Sequence, residues 1–110
     1  MKITSKMPSD FVSNDYDSIS FLDNLANSVV KLLITRKLKI SVAESLTGGM
    51  IAQYITSISG ASEIFELGIV SYTNRIKTQE LNVSQGILDK YTAVSEQTAI
   101  AMAQGVMKKT

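Results

Sequence analysis

The sequence of 110 residues contains neither cysteine nor histidine. Without cysteine there can be no disulfide framework and no thiolate nucleophile. Without histidine there can be no Ser-His-Asp triad, no Cys-His pair and no His-ligated zinc site. A serine nucleophile in this chain would therefore need a lysine, a tyrosine or a carboxylate as its base.

A large net charge and long hydrophobic runs are also missing. The formal net charge is +1, whereas a nucleic-acid-binding protein usually carries a clearly basic face. No apolar run approaches the ~20 residues of a membrane span, and the N-terminus lacks the apolar region of a signal peptide. We therefore expect a cytoplasmic protein that binds neither nucleic acid nor membrane. The apolar content of 45% is that of a soluble globular protein, and the length allows one domain or less.

Hydrophobic periodicity divides the chain into two parts. Residues 1–17 are polar, contain the single proline and show no period, so we predict a disordered or poorly ordered N-terminal arm. Residues 18–110 are predicted to fold. The predicted elements are a helix over 19–35, a strand over 39–43, a helix from 50 to a stop at Gly60, a strand over 66–73, short helices over 74–81 and 84–91, and a final helix capped by Ser95. Along one face of this last helix lie Ala99, Met102, Ala103 and Val106.

This order of elements predicts an α/β fold, because helices and strands alternate along the chain. Two strands alone form a marginal sheet in water. We therefore expect an open sheet edge, an uncovered apolar face and self-association of the isolated chain.

The stretch VAESLTGGMIAQYI, residues 42–55, places polar side chains and a glycine pair between a strand and a helix. Ser45 has two interpretations: it caps the helix, or it is a nucleophile. The TGG sequence matches neither the P-loop nor the GxGxxG fingerprint. Backbone N–H groups at such a helix start could nevertheless hold a phosphate or an oxyanion.

Tyr72 and Lys77 lie at the end of the second predicted strand and just beyond it. If the two strands are parallel neighbours, Ser45 and Tyr72 leave the sheet at the same edge, where ligand crevices form. A lysine partly desolvated there could act as a base. Taken singly, Tyr72 also fits a half-buried strand aromatic, and Lys77 a solvated surface cation.

Four blocks, VAESLTGGMIA, ELGIVSYTNRIKTQELNV, YTAVSEQTA and AMAQGV, occur in this order from about residue 19 to the end. Together they resemble the CinA C-terminal domain family, the nicotinamide-nucleotide amidase module. The resemblance implies a partial three-layer α/β/α sandwich. It also implies deamidation of nicotinamide mononucleotide to nicotinic acid mononucleotide and ammonia, without a cofactor or metal.

The resemblance also assigns roles to individual residues. Ser45 would be the nucleophile and Lys77 would accept its proton, while Tyr72 would orient the pair or relay the proton to ammonia. Substrate-binding positions would be Glu44, Thr47, Gly48 and Gly49, whose backbone N–H groups near the glycines could stabilise the oxyanion. Glu44 could fix either a neighbouring backbone or a cation.

Two features depart from the family pattern. Leu46 stands where the family commonly carries a small residue, and we expect its side chain to pack inward. The family's later glycine-rich loop of the TGIAGP type, its final strand and its final helix do not follow. We therefore expect roughly the first two thirds of a domain, inactive or incomplete alone, with a separately encoded C-terminal segment as its partner. The alternative is a non-catalytic truncated homologue acting as an interaction or phosphate-binding module.

Overall fold

The structure is a computed structural model that describes residues 15–110, with side chains from Ser20 onward. The first helix begins at Asp15, so residues 15–17 of the predicted arm are helical, and residues 1–14 lie outside the described residues. The elements are α1 (Asp15–Arg36), β1 (Ile40–Glu44), α2 (Met50–Thr56), a short 3-10 helix (Ala61–Glu63), β2 (Phe65–Val70), α3 (Asn74–Leu81), α4 (Gln85–Tyr91) and α5 (Glu96–Met107).

The two strands pair in parallel, as the sequence analysis required for a shared edge. Ile40 lies opposite Phe65, but the next residue, Ser41, lies opposite Leu67, so Glu66 is the extra residue of a β-bulge. Because one residue is skipped, the side chains of β2 change face at this point. Phe65 packs in the layer of α1 and α2, whereas Leu67 packs in the opposite layer.

Helices cover both faces of this sheet and produce the predicted three layers. On one face, α1, α2 and the 3-10 helix enclose a core of Val30, Ile55, Ala61 and Ile64. On the other face, α3, α4 and α5 enclose a core of Leu81, Val83, Leu88, Met102 and Val106. The expectation of an uncovered apolar face is therefore wrong for the described part of the chain.

The predicted cap of α5 is confirmed, since the Ser95 hydroxyl accepts a hydrogen bond from the Thr98 N–H at 3.1 Å. Only half of the predicted apolar face of α5 is buried. Ala99 and Ala103 are exposed, and the buried residues are Thr98, Met102, Gly105 and Val106. Gly105 is buried because α5 approaches α3 so closely that a Cβ there would lie 2.0 Å from the Leu81 carbonyl oxygen.

The carboxyl ends of β1 and β2 meet at one edge of the sheet. Glu44 lies opposite Val70, and one residue further the Ser71 N–H donates to the Glu44 carbonyl at 2.8 Å. The turn that carries Ser45 and the segment that carries Tyr72 therefore leave the sheet side by side. None of the helices in the described residues is both long enough and apolar enough to cross a membrane.

Candidate active site

Lys77 and Ser45 form the centre of the candidate site. Thr73 caps α3 by accepting a hydrogen bond from the Ile76 N–H at 3.3 Å, so Lys77 lies in the first turns of that helix. The Lys77 side chain extends back toward the sheet edge and is 1% exposed. Its Nζ lies 3.0 Å from the Ser45 Oγ. The interpretation of Lys77 as a solvated surface cation is therefore wrong.

Two consecutive backbone carbonyls hold the same amine. The Lys77 Nζ donates to the Ser71 carbonyl at 2.9 Å and to the Tyr72 carbonyl at 3.2 Å. Carbonyl oxygens can only accept, so in the neutral amine they engage both hydrogens. The remaining lone pair then faces the Ser45 hydroxyl. After proton transfer, the third hydrogen of the ammonium points to the same oxygen, so the arrangement suits both states of a base.

Burial lowers the pKa of Lys77 below its ordinary value of 10.5, because desolvation disfavours the charged ammonium. The ion pairs found among the described residues are Lys39–Glu66 and Lys109–Glu80, both on the surface, and neither includes Lys77. No carboxylate of the described chain therefore neutralises the ammonium. The neutral, basic form becomes accessible at a lower pH than for a lysine in water.

Ser71 is a residue of this site that the sequence analysis missed. It is 0% exposed. Its N–H donates to the Glu44 carbonyl at 2.8 Å, while its own carbonyl accepts from Lys77. It thus connects the strand end that precedes Ser45 to the amine that faces Ser45. The strand-edge rule that selected Tyr72 applies equally to its neighbour, so Ser71 could have been found in the same way.

The carboxylate of Glu44 bridges the turn that carries Ser45. Glu44 is 3% exposed. Its Oε1 accepts from the Thr47 hydroxyl at 2.8 Å and from the Ile51 N–H at 2.8 Å, and its Oε2 accepts from the Ala52 N–H at 3.1 Å. Of the two alternatives for Glu44, the structure therefore shows the fixed backbone. Its contact with substrate stays a prediction.

Ser45 does not cap α2. The capping position belongs to Gly49, which has no side chain, and the first helical N–H groups bind Glu44 instead. The Ser45 hydroxyl is therefore free of the capping role that was the alternative to a nucleophile. Because the cap is supplied from the preceding strand, local spacing could not distinguish the two interpretations.

The glycine pair shapes the turn through left-handed backbone. Gly48 has φ 64° and Gly49 has φ 108°, backbone conformations that residues other than glycine rarely adopt. The Gly48 N–H donates to the Ser45 carbonyl at 3.0 Å and is not available to an oxyanion. The N–H groups of Thr47 and Gly49 have no acceptor among residues 15–110. The substrate-binding roles of these three residues stay predictions.

Tyr72 and Leu46 extend outward beside Ser45. The Tyr72 side chain is 71% exposed, and its phenol forms no hydrogen bond within the described chain. The interpretation as a half-buried strand aromatic is therefore wrong, because β2 ends at Val70. Leu46 is 77% exposed, so the expected inward packing is also wrong. It lies in a turn outside the sheet, where no strand periodicity directs its side chain.

Ser45 itself is half-buried. A surface depression of about 450 Å³ lies at the opposite end of the strands from Ser45 and is lined in part by Ile40, Ser41 and Met107. A separate observation concerns metal binding: residues 20–110 contain no cluster of acidic side chains suited to a metal ion. The described residues thus bring the Ser45 hydroxyl and the Lys77 amine together at the surface of the chain.

Comparison with known proteins identifies the family. The model of the CinA C-terminal domain matches residues 22–110. The chain belongs to this family. A relative from Clostridium beijerinckii is 52% identical over 85 residues, which cover 77% of this chain and 21% of the relative. A CinA-like protein from Pseudothermotoga lettingae is 50% identical over 84 residues, which cover 76% of this chain and 21% of that protein.

Solved structures of the CinA superfamily share the fold. A competence/damage inducible protein from Agrobacterium tumefaciens is 39% identical and superposes with a TM-score of 0.78, covering 80% of this chain and 53% of that one. A CinA superfamily protein from Escherichia coli is 30% identical with a TM-score of 0.79, covering 98% and 57%. The chain therefore spans about a fifth of the length of the curated CinA relatives and about half of the length of the solved chains.

Proposed function

We propose that this CinA-family chain carries the nucleophile and base of an amidase that deamidates nicotinamide mononucleotide. The single observation that carries the proposal is the 3.0 Å contact between the Ser45 hydroxyl and the buried amine of Lys77. A chain without histidine requires such an alternative base. The substrate comes from the resemblance to the amidase module, whose conversion releases ammonia and nicotinic acid mononucleotide.

The first half of the reaction would form an acyl-enzyme. The Ser45 oxygen bonds to the carboxamide carbon while its proton passes to the neutral Lys77 amine. The carbon–nitrogen bond then breaks, and ammonia leaves with the proton returned by the Lys77 ammonium, directly or through the Tyr72 phenol. The backbone carbonyl of Tyr72 binds Lys77 and its side chain is exposed, so the proposal includes both routes.

The second half would hydrolyse the Ser45 ester. Water attacks the ester carbonyl and gives its proton to Lys77, after which the Ser45 oxygen leaves and takes that proton back. The products are the nucleotide carboxylic acid and the free serine. The N–H groups of Thr47 and Gly49, which lack acceptors among residues 15–110, are the candidates for stabilising the oxyanion in both halves.

The contacts of Glu44 favour this amidase over a phosphate-binding module. Its carboxylate already accepts from the N–H groups of Ile51 and Ala52 at the start of α2. A phosphate at the same place would have to displace a buried anion or lie next to it, and like charges repel. The helix start is therefore better suited to fixing the Ser45 turn than to binding an anion.

Completion by further protein is part of the proposal. Ser45 is half-buried at an open surface, so the described residues supply the chemistry without enclosing a substrate. Positioning supplies much of an enzyme's rate. We therefore expect slow turnover by the chain alone and faster turnover when a C-terminal segment of the domain is added.

The experiment measures ammonia release from nicotinamide mononucleotide, with and without the added segment, and the mass of the Ser45 peptide after rapid quenching. Wild type is expected to release ammonia and to show the acyl adduct. Ser45→Ala should do neither, while the control Ser57→Ala, at the exposed end of α2, should behave as wild type. Turnover that survives Ser45→Ala would disprove the role of Ser45.

A further inference from the structure

We propose that Glu44 is a positioning residue, which holds the Ser45 turn at the distance where Lys77 can take the serine proton. The inference rests on the proposed function for its consequence in catalysis, but its structural content does not. Glu44 precedes the nucleophile directly, and its carboxylate reaches across the turn to the start of α2. In this role it acts through Ser45 and does not touch substrate.

The turn needs such a restraint because its own backbone is permissive. Residues 45–49 include two adjacent glycines in left-handed conformation, and glycine has more conformational freedom than any other residue. One backbone hydrogen bond, from the Gly48 N–H to the Ser45 carbonyl, lies within these five residues. α2 has no side-chain cap of its own at Gly49. A second backbone hydrogen bond, from the Met50 N–H to the Thr47 carbonyl at 3.1 Å, joins the turn to α2. The Glu44 carboxylate adds three contacts to these two and closes the turn.

Glu44 restrains both Ser45 and Lys77, because its backbone and its side chain are each hydrogen-bonded. Its carbonyl accepts from the Ser71 N–H at 2.8 Å, and the Ser71 carbonyl binds Lys77. Its carboxylate binds Thr47, Ile51 and Ala52. The backbone of Glu44 thus connects to Lys77 through Ser71, and its side chain connects to the turn that carries Ser45.

The geometry also explains why a carboxylate is needed in place of a neutral amide. Three donors converge on the two oxygens of Glu44, and a carboxylate only accepts. In Glu44→Gln, the amide NH₂ would face one of these donors, so at least one contact would be lost. A buried carboxylate is costly unless hydrogen-bonded, and here the positive end of α2 adds to its stabilisation.

The first test measures the reactivity of Ser45 without the pyridine nucleotide. A fluorophosphonate reacts with an activated serine by forming an oxygen–phosphorus bond and releasing fluoride, and the serine proton would pass to Lys77. We expect the saturated labelling rate of Ser45 in Glu44→Gln to fall about tenfold to a hundredfold, since small misplacements cost that much. The reagent concentration at half-saturation should stay unchanged, because Glu44 does not contact it.

The control separates positioning from general loss of stability. Val106 of α5 is 2% exposed, so Val106→Ala creates a cavity in the core. It lies far from Ser45, because its neighbour Met107 lines the depression at the opposite end of the strands. At a temperature where both variants are folded, Val106→Ala should label at the wild-type rate. A Glu44→Gln rate equal to that of Val106→Ala would overturn the proposal.

The pH profile distinguishes positioning from direct proton transfer. If Glu44 only positions Ser45, Glu44→Gln lowers the plateau of the labelling rate at high pH, and the rate still rises with pH as Lys77 loses its proton. Loss of this rise would show that Glu44 itself takes the serine proton, and the proposal would then be wrong.

A second measurement does not depend on a reactive serine. Amide hydrogen exchange in Glu44→Gln should accelerate at Ile51, Ala52 and Gly48, but not in the distant α5. Unchanged exchange at these amides would overturn the proposal even if wild type were not labelled. Absent labelling of wild type with accelerated exchange in the variant would instead contradict the proposed function and leave the positioning role standing.

Discussion

The Lys77 Nζ and the Ser45 Oγ lie 3.0 Å apart although 32 residues separate them in the sequence. The contact depends on parallel pairing of β1 with β2, which brings the residues after both strands to one edge. It also depends on two carbonyls that orient the amine.

Lys77→Arg should bind the substrate or reagent but lose turnover and Ser45 labelling by about a hundredfold or more, because arginine has no accessible neutral form. The control is Lys90→Arg, a change at an exposed residue of α4, which should behave as wild type. Comparison of KM and kcat for the two variants checks the expectation. A Lys77→Arg variant with near-wild-type kcat would mean that Lys77 anchors charge and that the base lies elsewhere.

The rate of Ser45 labelling should rise with pH through the lowered pKa of Lys77, because the neutral amine is the form proposed to accept the serine proton. Stability should rise in the same direction. Between the lowered folded pKa and the ordinary 10.5, the unfolded chain binds more protons at Lys77 than the folded chain does. Below the folded pKa of Lys77, the buried ammonium lowers the free energy of unfolding by its full amount. Above pH 10.5, the amine is neutral in both states and this loss of stability is gone.

Lys77→Met lacks this titration and isolates its contribution. Urea unfolding of wild type and Lys77→Met at several pH values should show a free energy of unfolding that increases more with pH in wild type. Parallel pH dependences of the two proteins would show that Lys77 is not desolvated.

Gly105→Ala should destabilise the fold by about 3 kcal/mol or more, since the new methyl group would overlap backbone and cannot be accommodated by a rotamer change. Its Cβ would lie 2.0 Å from the Leu81 carbonyl oxygen. The control Gly86→Ala in α4 places its Cβ 3.9 Å from the nearest atom, the Ser84 Oγ, and should stabilise by up to about 1 kcal/mol. Urea unfolding measures both, and equal effects would disprove the close approach of α5 to α3.

Thr92→Gly should stabilise the protein by about 1 kcal/mol, as relief of about 1–3 kcal/mol of backbone strain exceeds the entropy cost of glycine. Thr92 is β-branched and has φ 67° and ψ 172°. Asn82→Gly is the matched control, because asparagine tolerates its φ of 55° and little strain is relieved. A thermal melt in which Thr92→Gly unfolds earlier than wild type would contradict the strain.

The isolated chain should melt over a broad range and associate as its concentration rises. In the described part, the two-stranded sheet has open edges, and large apolar side chains such as Leu46, Tyr72, Val94 and Met107 are 64–81% exposed. Size exclusion at several concentrations checks this, with Leu46→Ser and Val94→Ser expected to reduce association. A sharp, cooperative melt from a clean monomer would refute the expectation.

The sequence by itself was sufficient for the elements, their order and the family. Helical periodicity and caps such as Ser95 depend on near neighbours, so they can be read from local spacing. The absence of histidine limited the possible bases to lysine, tyrosine and carboxylate, and the strand-edge rule placed Ser45 and Tyr72 together, with Lys77 just beyond. These conclusions need no knowledge of distant contacts.

Only the tertiary structure decided what each site residue contacts and how far it is buried. The burial of Lys77, the capping of α2 by Glu44, the exposure of Leu46 and the role of Ser71 all depend on contacts across the sheet edge or on the path of an irregular turn. The buried face of α5 likewise depends on the distance between two backbones at Gly105 and Leu81. Desolvation and close packing are properties of a residue's spatial neighbours, and the chain acquires those neighbours when it folds.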